Sequence, residues 1–333
     1  MSDLNTQQTI LVTGAAGFIG SEVARQLLDA GHRVIGIDNL NDYYTVELKE
    51  YRLKQLEGRT GFEFYPIDVE DTASLARLFD DYPFFAVMNL AARAGVRASI
   101  EQPDVYMATN ATGSLNLLQL MRQHEIKKLV LASTSSLYAG QPMPFEETSP
   151  VNQPISPYAA SKKAAEVMAY TYHHLFDIDV SIVRYFTVYG PAGRPDMSPY
   201  RFINWVAQEQ PIQLFGDGKQ RRDFTYVSDI ASGTIAALKP VGYEVFNLGG
   251  SKPYSILDMI ERIEKLTGKK AIIEFLPTHP TDMKATWAAT EKATKILDWQ
   301  PKVNFDDGLR RTYDWHREHF QLDGTSVSAA EQV

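Results

Sequence analysis

The sequence predicts an α/β fold built on a doubly wound parallel sheet, and three observations carry that prediction. Short apolar runs recur through the first half of the chain, helical stretches separate them, and the runs stay apolar at successive positions instead of alternating. Strands that read this way are covered on both faces, which is the condition of a parallel sheet between two helix layers. A chain of 333 residues is also long enough for such a core and for about two domains.

The first run, at 9–13, reads T-I-L-V-T and predicts a buried strand. Residues 21–30 carry Val23, Leu27 and Leu28 at helical spacing, with Gly31 as a stop. Residues 33–38 (R-V-I-G-I-D) form the next strand, and the pattern repeats at 62–68, 86–91, 128–133 and 180–185. Helices are predicted between them near 72–81, 104–123 and 157–176. After 185 the rhythm changes. Residues 190–199 are rich in Gly and Pro, and 215–223 reads as a polar loop with basic residues. Residues 227–238 and 244–248 read as one more helix and strand that return to the main sheet. A helix at 257–267, a strand at 271–276 and two further helical segments follow. The expected organisation is one domain over 1–185, rejoined by 227–250, and a smaller discontinuous α/β lobe over 186–226 and 251–320. Residues 321–333 lack apolar periodicity and read as a disordered tail.

Composition excludes several classes of function. Cysteine is absent, so there is no disulfide, thiolate metal site or thiol nucleophile. The balance of 33 basic against 41 acidic residues, net −8, disfavours nucleic-acid binding, which needs a basic surplus or stripe. No apolar run reaches the ~18 residues of a membrane span, and the first nine residues lack the apolar core of a signal peptide. A cytoplasmic protein without membrane partners is expected. His173 and His174, like His316 and His319, are pairs without a third ligand nearby, so no metal is expected.

The first strand runs directly into Thr13-Gly14-Ala15-Ala16-Gly17-Phe18-Ile19-Gly20. Gly14 permits a tight turn, Gly17 lets the backbone approach a pyrophosphate, and Gly20 lets helix and strand pack closely. The helix that follows turns free N–H groups and its positive dipole end toward the phosphates. About twenty residues later Asp38, with Asn39 after it, closes the second strand where a carboxylate can accept from both ribose hydroxyls of NAD. A 2′-phosphate would be repelled there, which favours NAD over NADP. These features specify a Rossmann-type sheet.

A second constellation is Ser156-Pro157-Tyr158-Ala159-Ala160-Ser161-Lys162. Ser156 suits an N-cap and Pro157 the first helical position. Tyr158 and Lys162 then share one helix face. A nearby ammonium and a helix N-terminus favour the phenolate, so the pair can make tyrosine a base. The strand at 128–133 ends in Ser133-Thr134-Ser135-Ser136, with hydroxyls at the strand end where open parallel sheets bind ligands. A Ser/Thr-rich turn fits the same composition.

Together these motifs resemble the extended short-chain dehydrogenase/reductase family. The segments Asp38-Asn39-Leu40-Asn41-Asp42-Tyr43-Tyr44, Ala91-Ala92-Arg93-Ala94-Gly95-Val96-Arg97, Arg184-Tyr185-Phe186-Thr187-Val188-Tyr189-Gly190-Pro191 and Gly193-Arg194-Pro195-Asp196-Met197 are similar to its UDP-glucuronate 4-epimerase branch. The resemblance spans about residues 10–320. It implies NAD-dependent C4 epimerisation of UDP-glucuronate to UDP-galacturonate through a 4-keto intermediate. Tyr158 would be the base, Lys162 its partner on the nicotinamide ribose, and Thr134, Ser135 and Ser136 the hydroxyls at C4 and the carboxylate. It places Asp68 and Val69 by the adenine, Leu90, Ala91 and Ala92 along the cofactor groove, and Asn110 and Tyr185 nearby. It gives the UDP to the second lobe, with Arg222 on the pyrophosphate, Gln213 and Phe215 flanking the uracil and Asp282 at its ribose. Thr187 and Arg194 would hold the sugar carboxylate, with Arg97 as a helper. The family further implies a homodimer in which the helices at 104–123 and 157–176 meet their symmetry mates as a four-helix bundle. Related dehydratases carry an Asp-Glu pair where this chain has Ser135 and Ser136, and related decarboxylases carry Glu at Ser136. Related galactose epimerases carry Asn at Thr187. Decarboxylation of UDP-glucuronate, epimerisation of neutral UDP-hexoses and a silent NAD-binding scaffold are the alternative readings.

Overall fold

The computed structural model describes residues 7–278 and 283–323. In chain order the strands are β1 (Thr9–Thr13), β2 (Arg33–Ile37), β3 (Phe62–Tyr65), β4 (Ala86–Asn89), β5 (Lys128–Thr134), β6 (Asp179–Tyr185), β7 (Thr187–Tyr189), β8 (Pro211–Phe215), β9 (Arg221–Tyr226), β10 (Tyr243–Leu248), β11 (Pro253–Ser255), β12 (Ile272–Leu276) and β13 (Ala285–Thr286). The helices are α1 (Phe18–Asp29), α2 (Val46–Lys54), α3 (Thr72–Asp81), α4 (Ala98–Glu101), α5 (Pro103–Tyr106), α6 (Gly113–Gln123), α7 (Pro157–Phe176), α8 (Ser198–Ala207), α9 (Val227–Ala236), α10 (Ile256–Thr267), α11 (Glu291–Leu297) and α12 (Phe305–Asp323).

Seven strands form one sheet in the order β3-β2-β1-β4-β5-β6-β10, and every neighbouring pair is parallel. The continuous apolar runs have the expected cause. Along β1, Ile10 and Val12 pack with α1 and α9 on one face, while Leu11 packs with α3, α6 and α7 on the other. Both layers exclude water, so neither register of the strand tolerates a polar alternation. A second group of strands surrounds β9, which pairs with β7, β11 and β13, and β8 pairs with β12. The buried Asp223 carboxylate knits this group together by accepting from the backbone N–H groups of Ser251 and Ala288, each at 3.0 Å.

Several elements depart from the sequence reading. Strand β9 begins inside the expected polar loop, at Arg221. The helix expected over 104–123 is divided by a π-helical turn, Met107–Thr112, between α5 and α6. Helices α2 and α8 have no counterpart in the expectation. Helix α12 runs to Asp323, past the expected start of the tail, and 324–333 lie outside the described residues. Among the described residues no helix is long and apolar enough to cross a membrane.

Candidate functional site

The sheet order reverses between β1 and β4, so the loops leaving these strands diverge and open a crevice at their carboxyl ends. The glycine loop lies there. Gly14 takes φ +71°, and a Cβ on it would stand 2.9 Å from the Ala91 nitrogen. A Cβ on Gly20 would stand 2.0 Å from the Gly14 carbonyl oxygen, so helix and loop meet backbone to backbone. Gly17 precedes α1, whose N-terminus carries no side-chain cap, which leaves its N–H groups for an anion. Phe18 and Ile19 therefore offer backbone; the buried Phe18 ring lies beside Gly190.

Asp38 follows β2 and accepts from the Leu40 N–H at 2.9 Å. Burial pushes its carboxyl up, and two hydroxyl donors would restore the ionised form. Asn39 donates to Asp68 at 2.6 Å, and Val69 packs against Gly113. These residues form one edge of the crevice.

A chain of hydrogen bonds joins the cofactor side to the second constellation. The Thr13 hydroxyl donates to Asn89 at 2.8 Å and accepts from the N–H groups of Leu90 and Ala91 at 3.0 and 2.9 Å. Asn89 donates to Ser114, and Ser114 donates to the Asn110 carbonyl at 2.6 Å. The Asn110 side chain, in the π-helical turn, donates to the Arg93 carbonyl and to Ser161, both at 2.9 Å. Ser161 donates to the Tyr158 carbonyl at 2.8 Å. The extra backbone residue of the π turn is what aims Asn110 at both the loop after β4 and α7.

Helix α7 starts as its sequence requires: the Ser156 hydroxyl accepts from Ala159 N–H at 3.2 Å, with Pro157 in the first turn. Tyr158 faces the Thr134 hydroxyl at the end of β5, and Tyr106 packs edge-on to its ring at 6.1 Å. Ser135 and Ser136 follow in a single 3₁₀ turn, with Ser136 N–H donating to Thr134 at 3.1 Å. Burial pushes the Tyr158 hydroxyl up, and the Thr134 hydrogen bond and the Arg194 charge pull it down. Lys162 is itself buried, which lowers it to about 8 against the pull of Glu166. The Tyr185 hydroxyl is committed to Thr234 at 2.8 Å, so only its ring remains to meet a cofactor.

The second group of strands brings Thr187 to the crevice at the start of β7. Arg194 lies close enough to Tyr158 to influence it. Its Nε and Nη2 hold both carboxylate oxygens of Asp196, at 3.0 and 2.5 Å, and Nη2 also reaches the Ala94 carbonyl. The two-bond fork expected for a substrate carboxylate is thus already given to Asp196. Arg97 lies 4.0 Å over the Phe215 ring and so joins the nucleotide candidates instead of the carboxylate ones. Gln213 is exposed on β8, and Arg222 donates to the Met283 carbonyl at 2.8 Å. Asp282 lies outside the described residues. Among the described residues no cluster of His, Asp and Glu could hold a metal ion.

The profile of the NAD dependent epimerase/dehydratase family matches residues 10–249. The chain belongs to that family. A UDP-glucuronate 4-epimerase of Thermodesulfobacterium geofontis is 57% identical over 313 residues, which cover 94% of this chain and 97% of the relative. The crystal structure of a Bacillus cereus UDP-glucuronic acid 4-epimerase, in complex with UDP-glucuronic acid and NAD, superimposes with a TM-score of 0.88 at 39% identity, over 93% of this chain and 99% of that one. A Thermotoga maritima UDP-glucose 4-epimerase with UDP-glucose gives 0.85 at 30% identity, over the same shares. Family membership makes NAD the cofactor, and a glycine cradle that no Cβ can enter, with Asp38 beyond it, fits that group.

Sequence reasoning overlooked two parts of this epimerase/dehydratase site. Arg52, in α2, is buried and hydrogen-bonded to the glycine loop. Its signal was the Leu48, Arg52, Leu56 spacing, which puts a cation on an apolar stripe. Glu166, one turn beyond Lys162, is buried against Arg184, which gives it two hydrogen bonds of 2.8 Å; Ser133 adds a third at 2.7 Å. The Tyr158, Lys162, Glu166 repeat of four was visible, but its partner on β6 lies too far along the chain to be paired with it by eye.

Proposed function

We propose that this protein catalyses the reversible C4 epimerisation of UDP-glucuronate to UDP-galacturonate through a 4-keto intermediate. The observation that carries the reading is the Tyr158 hydroxyl hydrogen-bonded to Thr134 at the end of β5, with the Arg194 cation near enough to lower it. When bound, NAD would supply a hydride acceptor and a positive charge. Tyr158 takes the proton of the 4-hydroxyl, Thr134 hydrogen-bonds the same oxygen, and Lys162 holds the nicotinamide ribose. After the keto sugar turns over, Tyr158 returns the proton to the oxygen of the opposite epimer. Hydride leaves and re-enters at C4, so no cofactor is consumed.

Oxidation at C4 makes the substrate a β-keto acid, which loses CO₂ when the C5–C6 bond aligns with the carbonyl π system. Thr187, Ser135, Ser136 and Arg194 hold the carboxylate out of that alignment, Arg194 through the Nη1 edge that Asp196 leaves open. Residues 186–226 and 251–320 receive the UDP, with Phe215, Arg97, Gln213 and Arg222 around it and Asp282 near its ribose. The test is product analysis after incubation with UDP-glucuronate. An isobaric epimer is expected as the main product, and a main product lighter by CO₂ overturns the reading. Arg194→Ala is expected to weaken UDP-glucuronate by ~1.5–3 kcal/mol more than it weakens UDP-glucose, the size of a charged hydrogen bond. Equal losses for both sugars remove Arg194 from the carboxylate.

We also propose a homodimer in which 104–123 and α7 meet their mates in a four-helix bundle. Leu117, Leu118 and Leu120 of α6 are used up in the core, but Val167 and Tyr170 of α7 are each 53% exposed, Leu175 is 60% exposed, and Met107 is exposed at the π turn. A stripe of this kind on one helix face is what a partner helix covers. Sedimentation at micromolar concentration gives twice the 37.4 kDa chain mass; a single-chain mass rules the bundle out.

A further inference from the structure

Arg52 is only 3% exposed, and no carboxylate among the described residues pairs with it. All five of its N–H donors are nevertheless engaged. Nε and Nη2 donate to the Ala192 carbonyl at 3.0 and 2.8 Å, and Nη2 also reaches the Gly193 carbonyl at 3.3 Å. Nη1 donates to the Ala16 carbonyl at 3.2 Å and to the Tyr44 hydroxyl at 2.6 Å. The Asp38 carboxylate acts on Arg52 through its charge but not through a hydrogen bond, and burying a cation without a bonded counter-charge costs free energy that an aliphatic side chain would avoid. The neighbours Leu48, Leu53 and Leu56 are aliphatic. Space filling alone does not account for an arginine here.

What the guanidinium joins does. Ala16 belongs to the glycine loop, and Ala192 and Gly193 immediately precede Arg194. Ala192 takes φ +50°, a left-handed conformation unfavourable for a residue with a Cβ. Two of the five bonds fall on its carbonyl and hold that conformation in place. Arg194 is then fixed from its other end by Asp196 and the Ala94 carbonyl, while its Nη1 donates to no described residue.

We propose that Arg52 is a positioning residue for the uronate carboxylate: it fastens the 192–193 backbone to the glycine loop, so that Arg194 keeps one position relative to the cofactor. This rests on the epimerase reading above. If Arg194 drifts, the keto intermediate samples the geometry in which the C5–C6 bond lies along the carbonyl π system. That bond then breaks, its electron pair enters the C4 carbonyl to give an enolate, water protonates C5, and CO₂ leaves. Protonation re-forms the C4 carbonyl: a keto-pentose nucleotide that leaves before the hydride returns leaves an equal amount of reduced cofactor behind, and one that stays takes the hydride back and leaves as a pentose nucleotide.

The experiment compares the parent holoenzyme with Arg52→Lys, which keeps the charge but cannot fork. UDP-glucuronate is offered to both, and nucleotide products and reduced cofactor are followed together. In Arg52→Lys, kcat/KM is expected to fall roughly 10–100-fold, the scale of a misplacement of about 1 Å, and the share of turnovers ending in a keto-pentose or pentose nucleotide is expected to rise above the parent's. Tyr44→Phe removes one of the five bonds and shifts the same ratio by a smaller amount, which keeps the test in hand if the lysine variant does not fold. A variant that is slower or less stable with an unchanged product ratio overturns the proposal. A parent enzyme that leaves UDP-glucuronate untouched overturns the epimerase reading itself, and the Arg52 proposal with it.

Discussion

The Tyr158→Phe enzyme is expected to turn over UDP-glucuronate about 10²–10⁴-fold more slowly than the parent, the contribution of a positioned general base. The change removes one oxygen. The ring keeps its edge-on contact with Tyr106, the Ser156 cap is untouched, and Lys162 and Thr134 stay where β5 and α7 put them. The loss should therefore appear in kcat, with KM and NAD retention near the parent values. Thr134 and Arg194 both lean on the hydroxyl that disappears, and neither replaces it as a base. Turnover within a few-fold of the parent would take the base role away from Tyr158.

The second large effect is on stability. Arg184→Met takes two of the three hydrogen bonds from the buried Glu166 carboxylate and leaves it only Ser133 and the more distant Lys163, and breaking a buried pair from one side costs about 3–5 kcal/mol. Arg184 also donates to Tyr138 at 2.7 Å, and Tyr138 donates to Asn247 at 2.8 Å, so the loss runs on from β6 into β10. Adding Glu166→Leu removes the stranded charge and should restore much of the difference. Chemical unfolding of the three proteins measures it. A single variant within about 1 kcal/mol of the parent would mean that solvent or a shifted proton compensates the carboxylate, and that the pair is not what holds α7 against β5 and β6.

The central sheet was legible because its physics is local. A strand covered on both faces has to be mainly apolar, and β1, β4 and β5 say so in four to seven letters. The glycine loop was legible for the same reason: a backbone that packs against itself at Gly14 and Gly20 has no side chain to choose from. Helix α2 was not, because its buried face carries Lys49 and Arg52 between Leu48 and Leu53, and charge conceals the period. The π turn was not, because one added residue around Asn110 changes no composition. The start of β9 was hidden by Arg221, Arg222 and Asp223, polar residues whose partners come from far along the chain. Spacing shows that Lys162 shares a helix face with Tyr158, but only the fold shows that Thr134 and Arg194 also act on its hydroxyl.

The last strand of the sheet also sets a timetable for synthesis. Strand β6 ends at Tyr185, and β10, which covers its outer edge, does not begin until Tyr243. At ~5–20 residues per second a ribosome leaves that edge uncovered for roughly 3–12 s after β6 has emerged. During this interval β6 presents a row of unpaired N–H and C=O groups to any strand nearby. Lys128 and Asp179 stand at the near end of the open edge, their later backbone partners at 239, 241 and 242 still unmade. Two charges at the mouth of an unfinished sheet discourage a foreign strand from pairing there, and the same two groups receive the native one when it arrives.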